Sequence, residues 1–183
     1  MKIAYSQKLK FEAACNNSMV KIMTKKDSTR LTLNKLSNEI EDIFATFHDG
    51  TIIEWKGNKE RLTLTIECSY LGEVLQSGFE NFYIILNDIE LIELDPWMNP
   101  PSLEKTIKTE IHEVFAAPLE IAYVKTENGV VKISCGQHDR SFNICGGTLK
   151  IKAKNIELLN HNQEHMESQQ LFEANDRYWN NKK

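Results

Sequence analysis

His161-Asn162-Gln163-Glu164-His165 is the sharpest spacing in the chain that could do chemistry. On a helix, two histidines four residues apart share a face and can hold a zinc ion beside a general-base glutamate. Such a centre also needs a third protein ligand and a shielded surround. The residues around and after this pentapeptide are polar and rich in Asn and Gln, so a solvated tail helix is expected in its place. Cys135, His138 and Cys145 form a second group of zinc-type ligands, with Cys68 available as a fourth if the strands bring it near. Their spacing fits no two-knuckle zinc pattern. Cys68 and Cys135 also fall on apolar faces, where a free cysteine packs as a small apolar residue.

Nucleophilic catalysis has one candidate pair, Cys135 with His138. Neither a Gly-x-Ser-x-Gly elbow nor a Gly-x-x-x-x-Gly-Lys-Ser/Thr phosphate loop accompanies it. His48-Asp49 is a dipeptide that metal-dependent phosphohydrolases use together with further His and Asp residues. Here turn chemistry accounts for it: Asp49 and Gly50 make a turn, and His48 meets the carbonyls at a helix end. A metal-dependent or Cys/His hydrolase using His48/Asp49 or Cys135/His138/Cys145 is the alternative function; the leading reading, a non-enzymatic binder, expects no metal or other cofactor.

Two charged groups remain. Lys150, Lys152 and Lys154 line one face of a strand, where they could touch phosphate or guard a sheet edge; without interleaved aromatics, edge protection is expected. Asp88, Glu90, Glu93 and Asp95 lie beside Trp97. Tryptophan is enriched at interface hot spots, and acidic rims speed encounter with basic partners, so these five residues form the expected binding surface.

The elements that position these groups follow from periodicity. Leu36, Ile40, Ile43, Phe44 and Phe47 recur at helical spacing, and the helix should stop near His48-Asp49-Gly50. Residues 51–56 and 61–70 read as hairpin arms, with Leu62, Leu64, Ile66, Cys68 and Tyr70 alternating against Thr63, Thr65, Glu67 and Ser69. A loop over 71–81 leads to apolar segments 82–86 and 89–94, split by a turn or bulge at Asn87-Asp88. Pro96, Pro100 and Pro101 are expected to end the sheet region, and Ser102 to cap a second amphipathic helix through Leu103, Ile107, Ile111, Val114 and Phe115. Asn128-Gly129 between alternating arms is a strong hairpin signal. Leu149, Ile151 and Ala153 alternate with the three lysines in a last strand. In the N-terminal stretch, residues 19–23 and 31–33 fit strands. The expectation is an α+β fold with a twisted, mainly antiparallel sheet of about seven to nine strands and two amphipathic helices. Residues 1–160 would form one domain and 161–183 a polar tail or helix.

Composition narrows the partners. The 183 residues are 41% hydrophobic and 26% charged, with 22 Lys+Arg against 26 Asp+Glu, a net charge of −4. That is too apolar for a disordered chain and lacks the basic excess of a nucleic-acid coat. No run approaches the roughly 18 apolar residues that span a bilayer. Lys8, Lys10 and Glu12 interrupt what would otherwise lead into a lipoprotein-like Ala13-Ala14-Cys15. Four scattered cysteines without a C-x-x-C pair suit a reducing compartment. A cytoplasmic protein with another protein as partner, and neither nucleic acid nor membrane, is expected. The stripe Met166, Leu171, Phe172, Tyr178, Trp179 offers a route to self-association through the tail.

From Phe47 to Ile53, through the arm Leu62 to Cys68 and on to Ile89-Glu90-Leu91, the chain resembles small bacterial proteins, some of which are similar to immunity proteins of polymorphic toxin systems. The likeness covers about a third of the chain and consists of turn and core residues. It implies a cytoplasmic binder that occludes a partner protein, with His48 and Asp49 in structural roles.

Overall fold

The computed structural model describes residues 36–181; the strands expected at 19–23 and 31–33 lie outside them. The period-3.6 segment becomes helix α1, residues 36–46, which buries Ile40, Ile43 and Phe44, with Phe47 following in the turn. Gly50 N donates to Phe47 O and closes the turn, with Asp49 at φ 64°. Strands β1 (Thr51–Gly57) and β2 (Arg61–Glu67) then form the expected hairpin. Leu62, Leu64 and Ile66 are fully buried, as strict alternation requires. Asn58 Oδ1 accepts from the N–H groups of Glu60 and Arg61 to fix the turn.

Helix α2 (Ser69–Leu75) follows, then β3 (Asn81–Asn87), β4 (Leu91–Met98), the short helix α3 (Ile111–Val114), β5 (Leu119–Glu127), β6 (Val130–Gly136), β7 (Ile144–Lys152), β8 (Asn155–Leu159) and helix α4 (Ser168–Asn180). The Asn128-Gly129 turn between β5 and β6 has φ of 54° and 74°, the left-handed pair that a two-residue hairpin demands. All eight strands pair antiparallel in the order β4-β7-β6-β5-β1-β2-β3-β8. The fold is α+β, dominated by one antiparallel sheet.

The sheet consists of two four-stranded halves. On one side they meet through a ladder of two residue pairs, Thr51↔Glu120 and Ile52↔Leu119. On the other side the chain itself joins them. β3 bends into β4 at Asp88–Glu90 and β7 bends into β8 at Ala153–Lys154, while β4 stays paired with β7 and β3 with β8. Glu90 N donates to Lys152 O and Lys154 N to Asn87 O, so the ladder carries across the bend. The strands therefore make a closed circuit around one apolar cluster that includes Phe44, Phe47, Leu64, Phe82, Leu94, Ile121, Ile133, Leu149 and Leu171.

Several expectations are corrected. Cys68 and Tyr70 continue the alternation of β2, yet Cys68 N donates to Glu80 O and α2 begins at Ser69. Asn87-Asp88 joins strands that do not pair with each other. β4 runs through Pro96 to Met98, which is possible because β4 lies at the edge of the sheet order, where a missing N–H is tolerated. Only Ile111–Val114 of the second amphipathic helix is helical; Leu103 and Ile107 are exposed, and Lys108 exchanges backbone hydrogen bonds with Leu94 at the free side of β4. Lys150 and Lys152 stand on β7, an interior strand, so they guard no edge. Within the expected tail, α4 starts at a capping box of Glu167 and Gln170. It buries Leu171 and Ala174 and sets Tyr178 against Tyr70, with ring centroids 4.5 Å apart.

Candidate binding face

The outward face of β4-β7-β6-β5 is organised in rows by the register. One row is Glu93, Lys150, Lys132 and Lys125; the next is Asp95, Thr148, Ser134 and Tyr123; the last is Trp97, Gly146, Gly136 and Glu120. Two glycines thus separate Trp97 from Glu120. Trp97 is 44% exposed and Tyr123 61%, so a large aromatic stands toward each flank of the four strands. Gly146 has φ 145°, and a Cβ there would lie 2.2 Å from Cys135 O and 3.1 Å from Trp97 Cε3. Only glycine lets β6 and β7 approach this closely beneath the indole.

Beyond the open side of β4 the chain doubles back over residues 99–108. Lys105 Nζ reaches Asp95 Oδ1 at 2.5 Å, and the Leu94–Lys108 bridge anchors the end of the stretch. This return leaves Leu103 and Ile107 exposed. With Trp97 they are three of the six large apolar residues exposed among the described residues, all within eleven positions. Singly exposed apolar residues are ordinary; a concentration of them marks an interaction surface.

The acidic residues of the expected binding surface are each held by a lysine. Glu93 faces Lys150 at 2.6 Å, Glu90 faces Lys152 at 2.7 Å and Asp88 faces Lys154 at 3.8 Å, with Lys105 on Asp95. The Lys152 hydrogen bond holds the Glu90 carboxyl below the usual range, and Glu93 holds the Lys150 ammonium above it. Farther along, Glu127 takes Lys125 at 2.7 Å and also Lys132, which lower its pKa to about 2. This face is a lattice of matched charges, with Trp97 and Tyr123 as its exposed aromatics toward opposite flanks.

The other candidates are dispersed. His48 Nδ1 sits 2.9 Å from Asp49 Oδ1, Asp49 N donates to Ile121 O, and Tyr70 donates its hydroxyl to His48 O. Both residues therefore tie the end of α1 to β5 and α2. Cys135 is buried and its Sγ lies 3.7 Å from Ile133 O; burial pushes its thiol up to about 12. His138 lies outside, over Gly136, with Nε2 2.9 Å from Glu120 Oε2. Cys145 is exposed, with Sγ 3.5 Å from Trp97 O. Cys135 thus points into the core while His138 and Cys145 sit on the surface. Cys68 is likewise buried, its pKa raised to about 11 by desolvation.

His161 and His165 do not share a helix face. They lie in an irregular segment in which Gln163 has φ 63°. His161 Nδ1 accepts from the N–H groups of Glu80 and Asn81, and its ring stacks on Phe79 at 5.1 Å. No group of three or more metal-ligating side chains occurs among the described residues, and no helix among them is long and apolar enough to cross a membrane. Tyr123, Leu103 and Ile107 are the members of the face that sequence reasoning missed. The β5 arm does carry a signal for Tyr123, but the bulge between Ile121 and Tyr123 shifts its register. The chain matches no protein-family model, no curated protein and no solved structure.

Proposed function

We propose that this chain is a protein-binding module whose contact surface is the Trp97 end of the β4-β7-β6-β5 face together with the return stretch through Leu103 and Ile107. The observation that carries the reading is the concentration of exposed apolar side chains there, beside charges that are already paired. Burying the remaining exposed part of an indole is worth about 2 kcal/mol, the size of an interface hot spot. Charges that are already paired offset part of their desolvation cost when a partner closes over them, whereas a lone charge would bear it in full. The partner is another protein with an apolar pocket for Trp97, occluded in the manner of the immunity-type proteins that the sequence resembles.

The test is site-specific photo-crosslinking in the source cells, with the reactive group at Trp97, at Leu103 and, as a distant control, at Glu164. A discrete adduct from the first two positions only, weakened about tenfold or more by Trp97→Ala at the unreplaced sites, supports the reading. Identical adducts from all three positions, or binding unchanged by Trp97→Ala, count against it.

A further inference from the structure

A second concavity lies on the outward face of the other half-sheet, a groove of about 540 Å³ over β1, β2, β3 and β8. That is within the range of small-ligand sites. The register pairs Glu54 with Thr65, Thr65 with Tyr83 and Tyr83 with Leu159, so these side chains share one face. Lys56 follows two residues after Glu54 on the same face, which places the two Cα atoms about 7 Å apart. Ile85 adds an apolar surface to the lining.

The charge state of this groove differs from that of the Trp97 face. Arg61, at the groove's margin, is engaged by Glu157 at 3.1 Å. Among the described residues neither Glu54 nor Lys56 is in an ion pair, and the hydroxyls of Thr65 and Tyr83 make no side-chain hydrogen bond. One free carboxylate and one free ammonium therefore face the same groove, with hydroxyls and an apolar patch beside them. The complementary ligand carries an ammonium and a carboxylate about 7 Å apart, an amide between them and an apolar side chain. An extended dipeptide meets that description, since each residue spans roughly 3.3–3.6 Å.

We infer that the groove binds a zwitterionic dipeptide along β1, its ammonium on Glu54 and its carboxylate on Lys56. Thr65 and Tyr83 hydrogen-bond the central amide, and the C-terminal side chain crosses Thr63 toward Ile85 on the Lys56 row. The site is independent of the Trp97 face.

The experiment is a titration of the 15N-labelled full chain with Ala-Leu, followed by amide chemical shifts. N-acetyl-Ala-Leu-amide, which lacks both charges, is the parallel probe. Saturable shifts confined to β1, β2, β3 and β8 are expected, about tenfold or more weaker for the blocked probe and for Glu54→Gln and Lys56→Gln. The blocked probe needs no variant, so it decides the question even if a substitution perturbs β1. Absence of saturable shifts at millimolar Ala-Leu, equal affinity for the blocked probe, or shifts centred elsewhere overturns the inference.

Discussion

Lys150 Nζ stands 2.6 Å from Glu93 Oε1 across the β4–β7 ladder, with the two side chains only 25% and 19% exposed. Partial burial lifts this pair above the ordinary surface salt bridge, whose worth is small. Glu93→Gln and Lys150→Gln should each cost about 1 kcal/mol, with a coupling of roughly 0.5–1 kcal/mol in a double-mutant cycle. Urea unfolding at low and high salt measures it, and a coupling of zero at low salt would show that the contact contributes nothing. The folded Lys150 pKa is raised above its ordinary 10.5. The contribution is therefore complete below that value and is lost as pH rises through the folded pKa.

Acid should remove a different set of contacts. Glu127 is lowered from 4.5 to about 2 by Lys125 and then Lys132, and Glu90 and Glu157 are lowered by Lys152 and by Asn87 with Arg61. A depressed carboxylate stabilises the fold above its unfolded pKa and ceases to do so as pH falls through the folded one. Melting temperature should fall between pH 4.5 and 2, less steeply in Glu127→Gln than in the parent. Parallel acid limbs for the two proteins would contradict the assignment.

Gly146→Ala places a Cβ 2.2 Å from Cys135 O at a φ of 145°. Both the clash and the dihedral oppose it, and a loss of about 2 kcal/mol or more is expected. Gly129→Ala shares the positive φ but has open space around it, so a loss of only about 1 kcal/mol is expected. Thermal unfolding of the two variants, compared side by side, checks that order.

Thiol alkylation should sort the described cysteines. Cys145 is exposed, whereas Cys68 and Cys135 are buried with thiols raised to about 11 and about 12. The thiolate is the reactive form. Peptide mapping after brief iodoacetamide treatment should therefore find Cys145 modified, with Cys68 and Cys135 reacting only once denaturant is added. Early modification of Cys135 would place it elsewhere than in the core.

Much of this fold is legible in local patterns. The period of α1, the alternation of β2 and the Asn128-Gly129 turn need no tertiary information, because each is decided by neighbours in the chain. Other features are decided by distant partners. Cys68 and Tyr70 extend the β2 alternation, but Glu80 captures the Cys68 N–H and turns the chain into α2. Leu103 and Ile107 have helical spacing, yet the Lys105–Asp95 and Lys108–Leu94 contacts hold that stretch along β4. The lysines on β7 look like edge guards until the ladder sets Glu93 opposite Lys150 and the bend before β4 brings Glu90 to Lys152. The candidate face was legible only at Trp97, since its remaining exposed apolar residues are defined by that return stretch and by the bulge in β5.

The shared strands decide how this chain can be divided. Because β3 and β4 follow one another while serving opposite halves, as do β7 and β8, each half is built from non-contiguous sequence. A break between β4 and β5 leaves β5, β6 and β7 without β4, and β1, β2 and β3 without β8. Neither fragment keeps a complete set of neighbours, so the circuit must assemble as one cooperative unit. Its least rewarded closure is between β1 and β5, which brings together residues nearly 70 positions apart for only two residue pairs, whereas β3 and β8 close a comparable span for five.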